Sequence, residues 1–570
     1  MTLPLRERPA GLLTRHFFHA LFDFGVFTQA GADSFVRLLI GLFSMLFAFG
    51  FLLVRMYAGK YAGLSTAPTG EPYAHALLAD TAVVIALPMW IVALVTVLIS
   101  QSLFPDETDF RVLMLLPIGR PMIFATKLAA VTLFAGLFTV TSHIAVTPLV
   151  LLMSVNRWRM DAPPLTWIAF WLSGVSASAF AVLAVAAVNG LVTLCTPRAW
   201  VRTAIGATRS AMIGALVLAL PFVMSLPAQS RPLADHARVL YFAPPVWFLG
   251  IDRVLLGDAD AYFSRLAMLG SIALVAVAVV AAAGCIVLYR RFDRVMLRSL
   301  GVSRHHERWR RGVARAEPAR AAVQEFTTAT FRRSTLHQGV IVGLSACGVA
   351  LALNTVLRGE LLHWLQGLDV PRQEILLSVA GIPFGLIFVL GIAARTAIAL
   401  PVEPKANWVF RMTERDGIRC DELRAAERIV VQLAALAPVA LTLPLQWLVV
   451  GPRALVASAL TAGFGLLWTE VLLHDWRRIP FTCSYIPGKH TVAQAFIAAL
   501  GIFLTFGTII GAIEYGTLAA KKPTAGVVVV AGLLVAVVLL RRRRRALWGE
   551  TPLLFDDELP DDIQILGLHR

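Results

Sequence analysis

Few residues in this sequence stand in a pattern that could do chemistry. Glu470 and His474 fall one helical turn apart, with Asp475 beside them. That spacing could present two metal ligands or a proton relay on one helix face. The competing reading is that they sit at a helix end, reach toward the interface and contact a basic loop. Two ligands do not make a metal site. His143 lies alone toward one end of an apolar run, and Arg395 at the end of another reads as a topology anchor. The five cysteines (Cys195, Cys285, Cys347, Cys420, Cys483) are scattered without a CxxC pair, so neither a disulfide framework nor a zinc site is expected. Lys489 follows Gly488, but no GxxxxGK[ST] occurs anywhere, so the chain is not its own conventional ATPase. No HExxH or GxSxG is present. No catalytic, cofactor or metal residue is therefore assigned, and the chain is not expected to be an enzyme.

The elements that would position such groups are apolar. Of 570 residues, 58% are hydrophobic and 15% charged. A soluble chain carries about a quarter charged residues. Twelve stretches approach the about 20 residues a helix needs to cross a hydrocarbon core. They lie at 34–56, 81–99, 124–146, 167–194, 205–224, 266–288, 340–357, 375–394, 429–450, 455–473, 492–513 and 525–540. They lack strand alternation, so helices and an all-α polytopic membrane fold are expected. The first apolar run begins near Ser34, too late for a cleavable signal, so Met1 is expected in the mature protein. Lys and Arg concentrate in alternate loops: around Arg198–Arg209, Arg290–Arg333, Lys405–Arg428, Arg477–Lys489 and Arg541–Arg545. These hold roughly three times the basic residues of the opposite set, which places them and both termini in the cytoplasm. The net charge of +16 then reflects orientation and not a nucleic-acid partner.

The basic stretch 290–339 divides the chain into two six-span halves, 34–289 and 340–540, flanked by an interfacial segment 1–33 and a cytoplasmic tail 541–570. Its arginines read as a solvated linker that attracts anionic headgroups. Each half opens alike. Leu12–Phe27 places Phe17, Phe18, Leu21, Phe24 and Phe27 near helical spacing, as suits a helix lying in the interface, and 322–337 repeats the pattern more weakly. This hints at an internal duplication. After span two comes an acidic, leucine-rich loop: Asp106, Glu107 and Asp109, then Leu115, Leu116, Pro117 and Ile118, a Gly119-Arg120-Pro121 turn, and Lys127 entering span three. A short amphipathic helix there could lie on lipid or dock into a groove on a partner. After span eight, Pro401, Glu403, Asn407 and Trp408 occupy the corresponding place in a longer loop whose Leu-Pro comes first. A third basic-side loop, between spans ten and eleven, carries two Ile-Pro pairs and Gly488 and follows a non-helical path.

By these loops, by the interfacial helix before span one, and by Pro244, Pro245, Val246 and Trp247 before span six, residues 12–288 resemble the permease subunit of type-2 ATP-binding-cassette (ABC) exporters. The resemblance implies a coupling loop at 106–127 and short re-entrant helices near 244–247. It also implies a separate nucleotide-binding ATPase subunit that supplies ATP, and a place in the bacterial cytoplasmic (inner) membrane, where the chain moves a substrate the sequence does not name. The second half departs from the pattern: only a short stretch, about 515–522, joins spans eleven and twelve. The rival readings are an ion-coupled secondary transporter, which requires charges deep in the bundle, and an integral-membrane enzyme, which requires a polar cluster on one face.

Overall fold

The computed structural model describes residues 9–21, 32–100, 118–154, 158, 163–196, 201–226, 233, 235–299, 318–358, 361, 364, 367, 369–402, 410–412, 414, 419–482, 492–520 and 524–555. Among them the regular structure is helical and no strand occurs. The chain forms two compact units, Met1–Val302 and Ser303–Arg570.

The first unit contains α1 (Pro9–Ala20), α2 (Ala32–Ser65), α3 (Glu71–Leu98), α4 (Arg120–Ser154), α5 (Pro163–Cys195), α6 (Val201–Ser225), α7 (Pro244–Leu256) and α8 (Ala261–Ser299). The second contains α9 (Pro318–Arg333), α10 (Thr335–Arg358), α11 (Arg372–Ala399), α12 (Arg419–Val431), α13 (Ala437–Val450), α14 (Ala454–Leu472), α15 (Val492–Ala519) and α16 (Thr524–Glu550). Nine helical segments of the described residues are long and apolar enough to cross a bilayer, one of them running Glu422–Leu472 and so holding two of the stretches separated in the sequence. The chain is thus an all-α, multi-pass membrane protein.

Its surface agrees. On α8, Met268, Ile272, Val275, Val279 and Ile286 recur every three to seven residues and are all more than half exposed. On α16, Val527, Val528, Val535 and Leu539 are exposed likewise. Soluble proteins seldom leave such continuous apolar stripes bare, whereas hydrocarbon solvates them without cost. The helices are longer than their apolar runs. α3 begins at Glu71, about ten residues before its hydropathic core, and α8 continues through Ser299. The stretch 290–339, expected as a solvated linker, is therefore helical at both ends, and Val323, Thr327 and His337 are buried.

α3 lies at the centre of the first unit, against α4, α5, α6 and α7. α7 is a half-length helix of 13 residues. At about 1.5 Å per residue it spans about 20 Å, short of the about 30 Å hydrocarbon core. Pro244 and Pro245 fit its first turn, where no N–H is needed. Gly257, at φ +78°, ends it, its N–H on the Val254 carbonyl while that of Asp258 bonds the Arg253 carbonyl. Gly250 lets α7 close on α8: a Cβ there would stand 2.6 Å from the Ala267 nitrogen.

In the second unit α11 is central, packed on α10, α14 and α15. Residues Gln432–Leu436 form one π-helical turn between α12 and α13. Pro438 offers no N–H to the Ala434 carbonyl, so the ordinary ladder cannot continue there. The widened turn presses against α14 at Gly465, where a Cβ would sit 2.3 Å from the Ala434 oxygen.

Candidate functional site

The described edge of the acidic loop is built on α1. Leu13 and Phe17 lie one turn apart and bury against Ile123 and Ala130 of α4, with Phe18 and Ile118 half-buried beside them. Leu21 joins Val92, Ile99, Val131, Phe134 and Phe138. Lys127 is 6% exposed, its ammonium 5.1 Å from the Phe17 ring centroid. Ile118, expected as an apolar anchor of the loop, is half-buried beside α1. Lys127, expected to enter span three, lies within α4 and beneath Phe17. Asp106, Glu107, Asp109, Leu115, Leu116 and Pro117 lie outside the described residues.

The second unit places its corresponding segment in an interwoven base. The Phe481 N–H bonds the Ile398 carbonyl at 3.1 Å, and the Val402 N–H bonds the Phe481 carbonyl at 3.0 Å. Pro401 is half-buried between these bonds, while Glu403, Asn407 and Trp408 lie outside the described residues. Phe481 holds φ +67°, a left-handed conformation that costs a non-glycine residue about 1–2 kcal/mol. Its ring is gripped edge-on by Phe331 at 5.0 Å and His337 at 4.8 Å. His337 in turn contacts the Ser334 hydroxyl through Nδ1 at 2.6 Å and the Leu400 carbonyl through Nε2 at 3.0 Å.

At the same end lies a buried ion cluster. Arg544 Nε donates to Glu470 Oε2 at 2.7 Å and Nη2 to Oε1 at 3.1 Å. Arg544 Nη2 also lies 3.1 Å from Glu427, and Arg541 Nε lies 3.0 Å from Glu427 and 3.3 Å from Glu470. Arg544 stacks on Trp548 at 4.2 Å. Arg541, Arg544 and Arg545 share one face of α16 and point at the carboxylates, while Arg542 and Arg543 are exposed. Glu470 is therefore engaged and unavailable as a metal ligand, and His474 pairs with exposed Asp475 at 2.8 Å. No group of three ligating side chains that could hold a metal occurs among the described residues. His143 is fully buried, Nδ1 on the Thr139 carbonyl at 2.7 Å, with its ring against Phe170 and Trp171.

Both units reuse one device. Arg209 of α6 donates to the Leu98 carbonyl at the end of α3, and Arg395 of α11 donates to the Leu472 carbonyl at the end of α14. Each guanidinium satisfies a terminal carbonyl and meets the negative end of that helix dipole. Arg395, read from the sequence as a topology anchor, thus has a specific structural partner.

Two buried acids were missed in the sequence. Asp80 is fully buried in α3; Lys60 Nζ reaches its two oxygens at 2.9 and 2.7 Å, and the Tyr61 hydroxyl donates at 2.8 Å. Glu514 of α15 is 1% exposed and accepts from Gln446 Nε2 at 3.1 Å, while the Ser458 hydroxyl donates to Gln446 Oε1 at 3.2 Å. The apolar stretches 81–99 and 492–513 end one residue short of each acid. The helices run on past them.

No protein-family model, curated protein or solved structure matches this chain.

Proposed function

We propose that this chain is the membrane-spanning permease subunit of an ATP-driven exporter of the type-2 ABC class, working with a separate nucleotide-binding ATPase. The observation that carries the reading is the seating of α1 on the base of α4, immediately after the acidic, leucine-rich loop. Phe17, Lys127 and Ile118 tie α1 and the start of α4 into one body, so a force applied at Ile118 moves α4 and α1 together. The buried half-length α7 agrees with the reading, lying where such permeases carry re-entrant helices. In this mechanism ATP binding in the partner shifts the docked loop, and rigid-body movement of helices opens a path.

A second reading, an ion-coupled transporter, draws on Asp80 and Glu514, because buried intramembrane acids mark ion paths. Asp80, however, is held by Lys60 and Tyr61, which makes it a structural tie. Co-purification decides between the two. An ATPase should follow the tagged chain, with Leu116→Asp reducing its recovery more than Asp106→Asn, since apolar anchors dominate docking and rim charges mostly affect encounter. Equal recovery by wild type and Leu116→Asp would remove the loop as the coupling element.

A further inference from the structure

The end of the second unit remote from the arginine cluster carries an open cavity of about 580 Å³, a volume typical of small-molecule sites. Its walls differ in chemistry. Trp364 supplies an aromatic surface, Ile375 and Leu376 a buried apolar floor, and Val449 of α13 the opposite side. Asp369 and Arg372 stand at the entrance of α11, three residues apart and exposed. Among the described residues neither makes an ion pair, with the other or with a third group. Opposite charges that line one cavity without neutralising each other suit a ligand that bears both.

The surroundings define the rest of that ligand. Leu377 beside the floor is 62% exposed, and Trp447 and Leu448 beside Val449 are 50% and 68% exposed. Exposed apolar side chains of this kind on a membrane helix suit contact with lipid, and tryptophan suits the interface. Beneath the floor, Ile375 and Leu376 pack into a core with Val379, Leu386 and Leu518. The cavity therefore has a charged mouth and an apolar base, and exposed apolar residues flank its lining in sequence.

We propose that this cavity binds a zwitterionic amphiphile. Its anionic group meets the Arg372 guanidinium, its cationic group meets Asp369 and the Trp364 face, and its apolar arm lies along Ile375, Leu376 and Val449. Cation attraction to a tryptophan face and to a carboxylate act together, and neither would hold an anion. The ligand is either a bilayer lipid presenting its headgroup or a free zwitterion carrying an apolar arm. The proposal does not depend on which energy source drives the protein.

The test is calorimetric titration of the full chain in phosphatidylglycerol nanodiscs, with empty nanodiscs subtracted. The probes are hexylphosphocholine, hexyltrimethylammonium and hexyl phosphate. Hexylphosphocholine should bind tightest. Asp369→Asn should weaken both choline-type probes about fivefold and spare hexyl phosphate, and Arg372→Gln should weaken hexylphosphocholine and hexyl phosphate and spare the ammonium. Both side chains are exposed, so each variant should retain the wild-type melting temperature. Repeating the titration in phosphatidylcholine nanodiscs separates the sources: weaker probe binding identifies competing lipid headgroups, and unchanged binding identifies a free solute. Equal affinity for the three probes, or wild-type affinities in both variants, overturns the proposal.

Discussion

Replacing Arg544 by Met should loosen the end of α16. The side chains of Arg544 and Glu470 are each 2% exposed, and Glu427 shares the same guanidinium. Breaking a buried pair by removing one partner costs about 3–5 kcal/mol, because a charge is left buried without its counterion. Arg541 remains within 3.3 Å of Glu470 and 3.0 Å of Glu427, which places the loss at the lower end. Methionine still covers Trp548, so the packing loss is small. About 3 kcal/mol corresponds to a roughly hundredfold rise in the fraction of time this segment is detached. Cys420 reports it, since its thiol donates to the Arg545 carbonyl at 3.4 Å. With Cys195, Cys285, Cys347 and Cys483 changed to Ser, the labelling rate of Cys420 by a membrane-permeant maleimide should rise, up to about that factor because the thiol is already partly exposed. Adding Glu470→Gln to Arg544→Met should restore most of the protection, because the uncompensated charge is gone. A parental labelling rate in Arg544→Met, or no recovery in the double variant, would refute the reasoning.

Three further outcomes follow from the packing and the charge pattern. Lys60→Met should lower the melting temperature of the detergent-solubilised chain more than Asp80→Asn does, because only the first leaves a buried carboxylate without its cation; the reverse order would remove Asp80 as a buried charge. Gly465→Leu should prevent accumulation of folded chain, since even its Cβ would lie 2.3 Å from the Ala434 oxygen, whereas Gly381→Ala, with open space around it, should be tolerated; size-exclusion profiles compare the two. A cysteine placed at Arg310 should resist an impermeant thiol reagent in intact spheroplasts and react after lysis, as the positive-inside pattern requires.

Hydropathy made the all-helical membrane class legible, because about 20 apolar residues have few other uses. The arginine-rich stretch 290–339 was expected to divide the chain, and the boundary of the two compact units, between Val302 and Ser303, falls inside it. Of the residues whose spacing suggested an interfacial helix, Phe17 and Phe18 lie on α1 and Leu21 directly follows it, while Phe24 and Phe27 lie outside the described residues; the docking of α1 on α4 left no signal in the sequence. Charge burial was the least legible property. A hydropathy window stops at a charge by construction, so Asp80 and Glu514 read as span ends while the backbone helix continues past both. The arginines at 541–545 read as one of the basic cytoplasmic segments because composition reports their number and not their faces; only three-dimensional packing brings Glu427 and Glu470, more than seventy residues upstream, against Arg541 and Arg544. The π turn at Gln432–Leu436 left one signal, Pro438, which marks a lost N–H but does not say how the chain absorbs it.

The most direct test of the proposed function is ATP hydrolysis by the purified chain, alone and with the ATPase that follows it through purification. The chain alone should be inactive, the complex should hydrolyse ATP, and Leu116→Asp at matched membrane abundance should lose the partner and the activity together. Hydrolysis by the chain freed of other subunits, or an undiminished complex with Leu116→Asp, would contradict the account.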